Sequence, residues 1–298
     1  MTTLLRRAMG LACLCLGLAA QAQDLDRAVE WAILQGQAGN YDDALAQLDP
    51  FLDSREDPSL AKGWYVSGFL LKERYKAERR PDDRMRAMDM LETALTVPGG
   101  SLPSSWQQSA TEALKYLSSS CHNDVVKGVQ GFQPGQEDAL LALFDRHVQA
   151  EKALDPRWSD TRERGELHKN LAKSYRLWFE TTGNASHFDA LVDQYERATE
   201  VNPDDVQAWY NLAVNLYNRG VAVLKSWDHT TSMFEVMAME EEFVAWLEQS
   251  LGPLEQAHAL EATRKETLKG LVMVHLALDN EEEEARYKAK LAQIVEGR

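Results

Sequence analysis

The sequence predicts an all-α fold, an alpha-alpha superhelix built from antiparallel helix pairs, and three observations carry that expectation. Alternating runs of Val, Ile and Thr that would mark strands are missing, while Ala, Leu, Glu, Gln, Lys and Arg dominate nearly every segment. Apolar residues recur at three- and four-residue spacing. Short Gly, Pro, Asn or Asp breaks separate these periodic stretches at regular intervals. In order, the spacing predicts helices over 25–37, 41–53, 59–77, 82–96, 103–118 and 136–154. It continues over 160–181, 185–200, 205–225, 234–260, 264–278 and 281–296. Mid-length helices joined by tight turns point to an array of repeats, so self-similarity is the next signal.

The best repeat is Ala208-Trp209-Tyr210-Asn211-Leu212-Ala213-Val214-Asn215-Leu216, which follows Ala198-Thr199-Glu200-Val201-Asn202-Pro203. Trp209, Leu212, Ala213 and Leu216 open a first helix, and Tyr195, Ala198 and Pro203 close the second helix before it. The physical logic is steric, since a small residue lets two antiparallel helices approach while large ones on the same face fill the space beside it. This pattern resembles the tetratricopeptide repeat (TPR), in the exported form found in Gram-negative bacteria. Weaker copies flank it. Leu171-Ala172 with Tyr175 begins one, completed by Phe188, Leu191 and Tyr195 after a lengthened connection through Gly183 and Asn184. Trp64, Gly68 and Leu71 begin another, completed by Ala87, Leu91 and Ala94, with a linker from Ala77 to Asp83 several residues too long for the family. Trp31-Ala32, Gly39-Asn40-Tyr41, Ala44 and Leu48 match at the start, and Leu268, Leu271, Leu278, Asn280 and Ala285 at the end.

Two stretches depart from the repeat. Ser118 to Gly135 holds Cys121, three glycines and Pro134, and is read as dividing N-terminal TPR-like repeats (23–120) from C-terminal repeats (136–298), with an irregular connection over 121–135. Between Leu224 and Pro253, Met233 to Gln249 reads as an inserted helix with an apolar face of Phe234, Met237, Phe243, Val244 and Leu247, and Trp246 beside it.

Residues 1–22 read as a secretory signal peptide: Arg6 and Arg7 supply positive charge, Ala8 to Ala19 an apolar core, and Ala20-Gln21-Ala22 a cleavage site. Cleavage after Ala22 implies a periplasmic or secreted protein with no membrane-inserted segment, because the apolar run falls well short of the roughly 20 residues that span a bilayer. Lipidation at Cys13 or Cys15 is the rival reading, although neither follows the triplet that lipoprotein processing prefers. Cys121 is then the one cysteine left, so stability rests on packing and not on disulfides. Hydrophobic residues make up 44% of the chain, enough to build a substantial core. The formal net charge is -15, a field that repels phosphate backbones and anionic lipid heads, so neither nucleic acid nor a membrane surface is the expected partner.

No nucleophile elbow, phosphate loop, dinucleotide fingerprint or helical zinc motif occurs in the sequence, which predicts no cofactor, no metal and no enzyme activity. His168 and His275 read as core or groove residues, and Trp31, Trp64, Trp178, Trp209 and Trp246 as core. Glu281 to Glu284 fit the first turn of a helix, where the macrodipole favours them. Cys121 beside His122 reads as a half-buried spare thiol. What the resemblance adds is a concave groove lined by one face of each first helix. Carried over position by position, that face comprises Lys169, Asn170, Lys173 and Arg176, then Tyr210, Asn211, Val214 and Tyr217, and finally Lys269 with Met273. Lysines and asparagines there suit an extended peptide or its terminal carboxylate, so a protein or peptide is the expected partner. Tyr210 and Glu266 stand where a cation would help. The alternative is a self-associating spacer, a homodimer formed through the Met233 to Gln249 helix.

Overall fold

The computed structural model describes residues 23–53 and 55–296, so the leader expected over 1–22 lies outside the described residues. The described residues are all-α, with helices and short 3-10 turns and no strand. Each predicted helix is present: α1 (23–37), α2 (Tyr41–Leu48), α3 (Ala61–Glu78), α4 (Pro81–Thr96), α5 (Ser104–Gln130) and α6 (Glu137–Leu154), followed by α7 (Thr161–Thr182), α8 (Ala185–Val201), α9 (Val206–Leu224), α10 (Met233–Leu260), α11 (Lys265–Ala277) and α12 (Glu281–Glu296). They form two compact units, one of residues up to Gly128 together with Asp138–Trp158, the other of Val129–Glu137 together with Ser159 onward.

In the first unit α3 and α4 make a tight TPR-like pair. The long linker expected from Ala77 to Asp83 is absent because α3 continues to Glu78, Arg79 turns the chain at φ 59°, and Pro81 starts α4. Pro is well placed at a first helical position, where its missing N–H would have no intrahelical acceptor anyway. Trp64, Leu71, Ala87, Leu91 and Ala94 are all buried in the shared core, as the repeat pattern requires. Of the tryptophans expected in the core, Trp64 is buried, Trp178, Trp209 and Trp246 are half-buried, and Trp31 is exposed.

The irregular connection expected over 121–135 is helical as far as Gln130. The reason lies in tertiary partners for a polar stretch. Ser118 Oγ hydrogen-bonds His147 Nδ1 (2.7 Å) and donates to Glu151 Oε1 (2.6 Å), and the fully buried Cys121 thiol sits 3.7 Å from Met88 Sδ. Leu114, Leu117, Cys121 and Val125 keep the helical spacing on the buried face. These contacts also place α6 with the first unit and not at the head of the second, because Arg146 of α6 reaches Glu92 Oε1 (2.5 Å) and Asp89 Oδ1 (3.2 Å) on α4.

The second unit is three helix pairs: α7 with α8, α9 with α10, and α11 with α12. The lengthened connection expected after α7 is only Gly183 and Asn184. Gly183 takes the left-handed conformation (φ 66°) that ends α7, and the Asn184 side chain caps α8 by accepting from the Ser186 N–H. Leu171, Ala172, Tyr175, Phe188, Leu191, Tyr195, Ala198, Leu212, Ala213 and Leu216 are all buried, so the residues that carry the TPR resemblance are those that pack the pairs. Trp209 is only half-buried, and its indole N–H donates to the Pro203 carbonyl (2.8 Å), tying the first helix to the preceding turn.

The inserted helix expected over Met233 to Gln249 is the first half of one long α10, opened by a capping box between Ser232 and Glu235. Gly220 of α9 lies against Phe243 and Trp246, so Leu224 at the end of α9 comes level with about residue 239 of the antiparallel partner at 1.5 Å per residue. The residues before that point overhang. Leu247 is fully buried and Phe243 is partly buried, whereas Phe234, Met237 and Val244 of the expected apolar face remain exposed.

Candidate functional site

Of the face expected to line a groove, the structure gathers most of the α9 residues and both α11 residues around one cavity and leaves the α7 residues elsewhere. On α9, Tyr210, Val214 and Tyr217 stand at i, i+4 and i+7, and on α11, Glu266, Lys269, Gly270 and Met273 repeat that spacing, so each helix turns one stripe toward the same depression. Ala213, Leu254 and Val274 close its floor. The cavity has a volume of about 270 Å³. Gly270 faces the Leu254 side chain on that floor, and a Cβ there would come within 2.9 Å of Leu254 Cδ2, so the Leu254 side chain would have to shift to admit one.

Charge is arranged at the rim. Arg264 lies over the Tyr210 ring, 4.5 Å from its centroid, and its Nη2 donates to Gln207 Oε1 (2.8 Å). That stacking leaves the guanidinium beside the groove while the ring stays on its wall. Lys269 is exposed and forms no ion pair among the described residues. The apolar walls would take a hydrocarbon or aromatic side chain, and the free ammonium a carboxylate next to it.

Five of the ten predicted groove residues, Tyr210, Val214, Tyr217, Lys269 and Met273, therefore share one cavity. The α7 set does not line it. Lys169 is buried, with Nζ 2.6 Å from Asp205 Oδ2 and 2.7 Å from Glu166 Oε1. Burial opposes its charge, but the hydrogen bonds to Asp205 and Glu166 outweigh that and hold the ammonium above its ordinary pKa. It is an internal tie between α7 and the start of α9, not a docking cation. Lys173 points Nζ at Asn170 Oδ1 (3.4 Å), and Arg176 lies 3.6 Å from Glu180, so this face is an exposed polar stripe engaged with itself. Asn211 accepts from Gln207 (2.7 Å).

Sequence reasoning missed Gly270, Leu254 and Asn218, which also line the cavity, and Arg264 beside it. A glycine inside a helix was the available signal for close approach, but its partner on α10 could not be read from spacing alone.

Both singled-out histidines are core. His168 pairs with Gln194 (2.8 Å) and is held neutral, its pKa lowered mainly by burial, while His275 stacks on Tyr287 at 5.5 Å. Among the described residues no group of three or more His, Cys, Asp or Glu side chains is placed to hold a metal ion, and no helix is long and apolar enough to cross a membrane.

No protein-family model matches the chain, and no curated protein matches it. Among solved structures, the human IFIT1 dimer with PPP-AAAA aligns with 91% of this chain and 72% of its own at 13% identity, and the TM-score of 0.22 is too low for that overlap to carry any argument.

Proposed function

We propose that the protein is an exported, non-catalytic interaction scaffold that holds a segment of a partner protein in the groove between α9 and α11. The observation that carries this reading is the combination of an apolar depression, walled by Tyr210, Val214, Tyr217 and Met273, with an unpaired Lys269 at its edge. A peptide whose apolar anchor lies next to a carboxylate, either an acidic side chain or a chain terminus, satisfies both features at once. Export would bring it to the cell envelope, where such a partner would be met.

The test is retention of partners from envelope extract by wild type, Met273→Glu and Lys269→Glu, followed by titration of a synthetic peptide covering the retained segment. Both side chains are surface-exposed, so folding is preserved. We expect peptide affinity to fall about tenfold or more with each, as the loss of an apolar anchor or a charge-assisted contact would give. Equal affinity in all three proteins removes the groove reading.

A second reading has its own observation. The overhang of α10 leaves Phe234 85% exposed, Met233 73% and Met237 51% exposed, and Trp227 in the preceding connection is exposed as well. Large apolar side chains exposed close together in the sequence suit a contact site, and a second copy of the chain is the occupant this reading commits to. Light scattering at micromolar concentration should then show a dimer that Phe234→Asp converts to monomer. A strictly monomeric wild type ends the spacer reading.

A further inference from the structure

A second cavity, independent of the groove, lies in the first unit where the α3–α4 turn and the first turn of α4 face α5. Its volume is about 520 Å³, and its walls are polar. Arg79 and Arg84 come from the turn and from α4, and Tyr116, Ser119, Asn123 and Lys127 from α5. Their spacing on α5, 116, 119, 123 and 127, is one helical stripe. With Asp124 also in the wall, three cations stand against one carboxylate, in a chain whose formal net charge is -15.

Arg84 is the informative residue. It is 5% exposed, and only one corner of its guanidinium is used: Nη1 reaches Asp124 Oδ2 (2.6 Å), Ser120 Oγ (3.1 Å) and the Tyr75 hydroxyl (3.2 Å). Its Nε–H is buried without an acceptor, and Nη2 donates to none among the described residues. A buried guanidinium with unused donors is costly, and although Nε is sealed from the cavity, an oxyanion there is a group that can take up the unused Nη2 donors. Lys127 forms no ion pair among the described residues either, and Arg79 is fully exposed at the mouth, near the Tyr75 and Tyr116 hydroxyls. A bare inorganic ion would leave most of this volume and its hydroxyl and amide walls unfilled.

We propose that this pocket binds a small hydroxylated organic anion, its phosphate or carboxylate head held by Arg84, Arg79 and Lys127 and its hydroxyls against Ser119, Asn123 and Tyr116. Isothermal titration of the full-length protein with glucose 6-phosphate, glucuronate and glucose tests the class and separates the two head groups. At least one of the two anions should bind saturably, and glucose should not. The anion that binds more tightly names the head group. Lys127→Glu and Arg79→Ala change exposed side chains, so their thermal melts should match wild type while affinity falls about tenfold, the size expected when a charge-assisted contact is lost or reversed. No saturable heat with either anion up to about 10 mM, binding of glucose as strong as that of the anions, or unchanged affinity in Lys127→Glu overturns the proposal.

Discussion

Replacing Asp205 with alanine is expected to destabilise the second unit by about 3 kcal/mol, although Asp205 sits in a turn and not in the apolar core. The side chain does two jobs at once. Oδ1 accepts the Ala208 N–H (3.1 Å) and caps α9, a contact whose loss costs about 1 kcal/mol. Oδ2 takes the Lys169 ammonium at 2.6 Å, and the Lys169 side chain is only 7% exposed. Without Asp205 that buried charge is left with Glu166, which is half in solvent and can compensate only part of the loss, so about 2 kcal/mol more disappears. Asn is a good cap but carries no charge, so Asp205→Asn should keep the first contribution and lose most of the second. Urea denaturation of the three proteins separates them, with the alanine variant lowest and asparagine between. Variants indistinguishable from wild type would show that Lys169 finds another partner or leaves the interior. The result also bears on the groove, because the turn held by Asp205 sets where α9 begins and hence where Tyr210 and Val214 point.

The same ion pair shows why the fold was more legible in the sequence than the site. Helix periodicity is a local property, and it places the start of every helix within a few residues, though α5 runs twelve residues past its expected end at 118 and α2 stops at Leu48; in the Trp209 repeat Leu212, Ala213 and Leu216 are buried as expected. Lys169 stood at a groove position by register, and its near neighbour Glu166 hinted at an i,i+3 pair, but Asp205 lies in a turn beyond an entire helix. No spacing rule connects the two. The polar run around Cys121 misled for a related reason. Three serines, a histidine and three glycines look like a break until His147 and Glu151 supply hydrogen-bond partners from α6. Phe234 and Met237 share an apolar face with Phe243 and Leu247, but periodicity cannot say where the partner helix stops, and α9 stops short of the first two. The Arg84 pocket was not legible either, since no spacing rule brings the polar stripe on α5 against residues from the end of α3 and the start of α4.

Asp83→Ala is expected to have the largest effect of any single substitution at a charged residue, lowering stability by about 3–5 kcal/mol. Asp83 is 2% exposed and receives a two-pronged contact from Arg74, Nε to Oδ2 at 2.8 Å and Nη2 to Oδ1 at 2.6 Å. Arg74 also reaches Asp42, so one guanidinium joins α2, α3 and α4. Asp42 is largely in solvent and screened, so it cannot replace the buried carboxylate. Alanine at position 83 thus strands a nearly enclosed charge between two helices that must stay in contact. If the loss comes from the stranded charge, Arg74→Met combined with Asp83→Leu should recover much of the stability lost in Asp83→Ala, because a buried ion pair exchanged for packed hydrocarbon is often close to neutral. If instead the double variant is less stable than Asp83→Ala, the bidentate contact itself holds α3 against α4, and the desolvation account is wrong. Chemical denaturation of the wild type, Asp83→Ala and the double variant decides between the two.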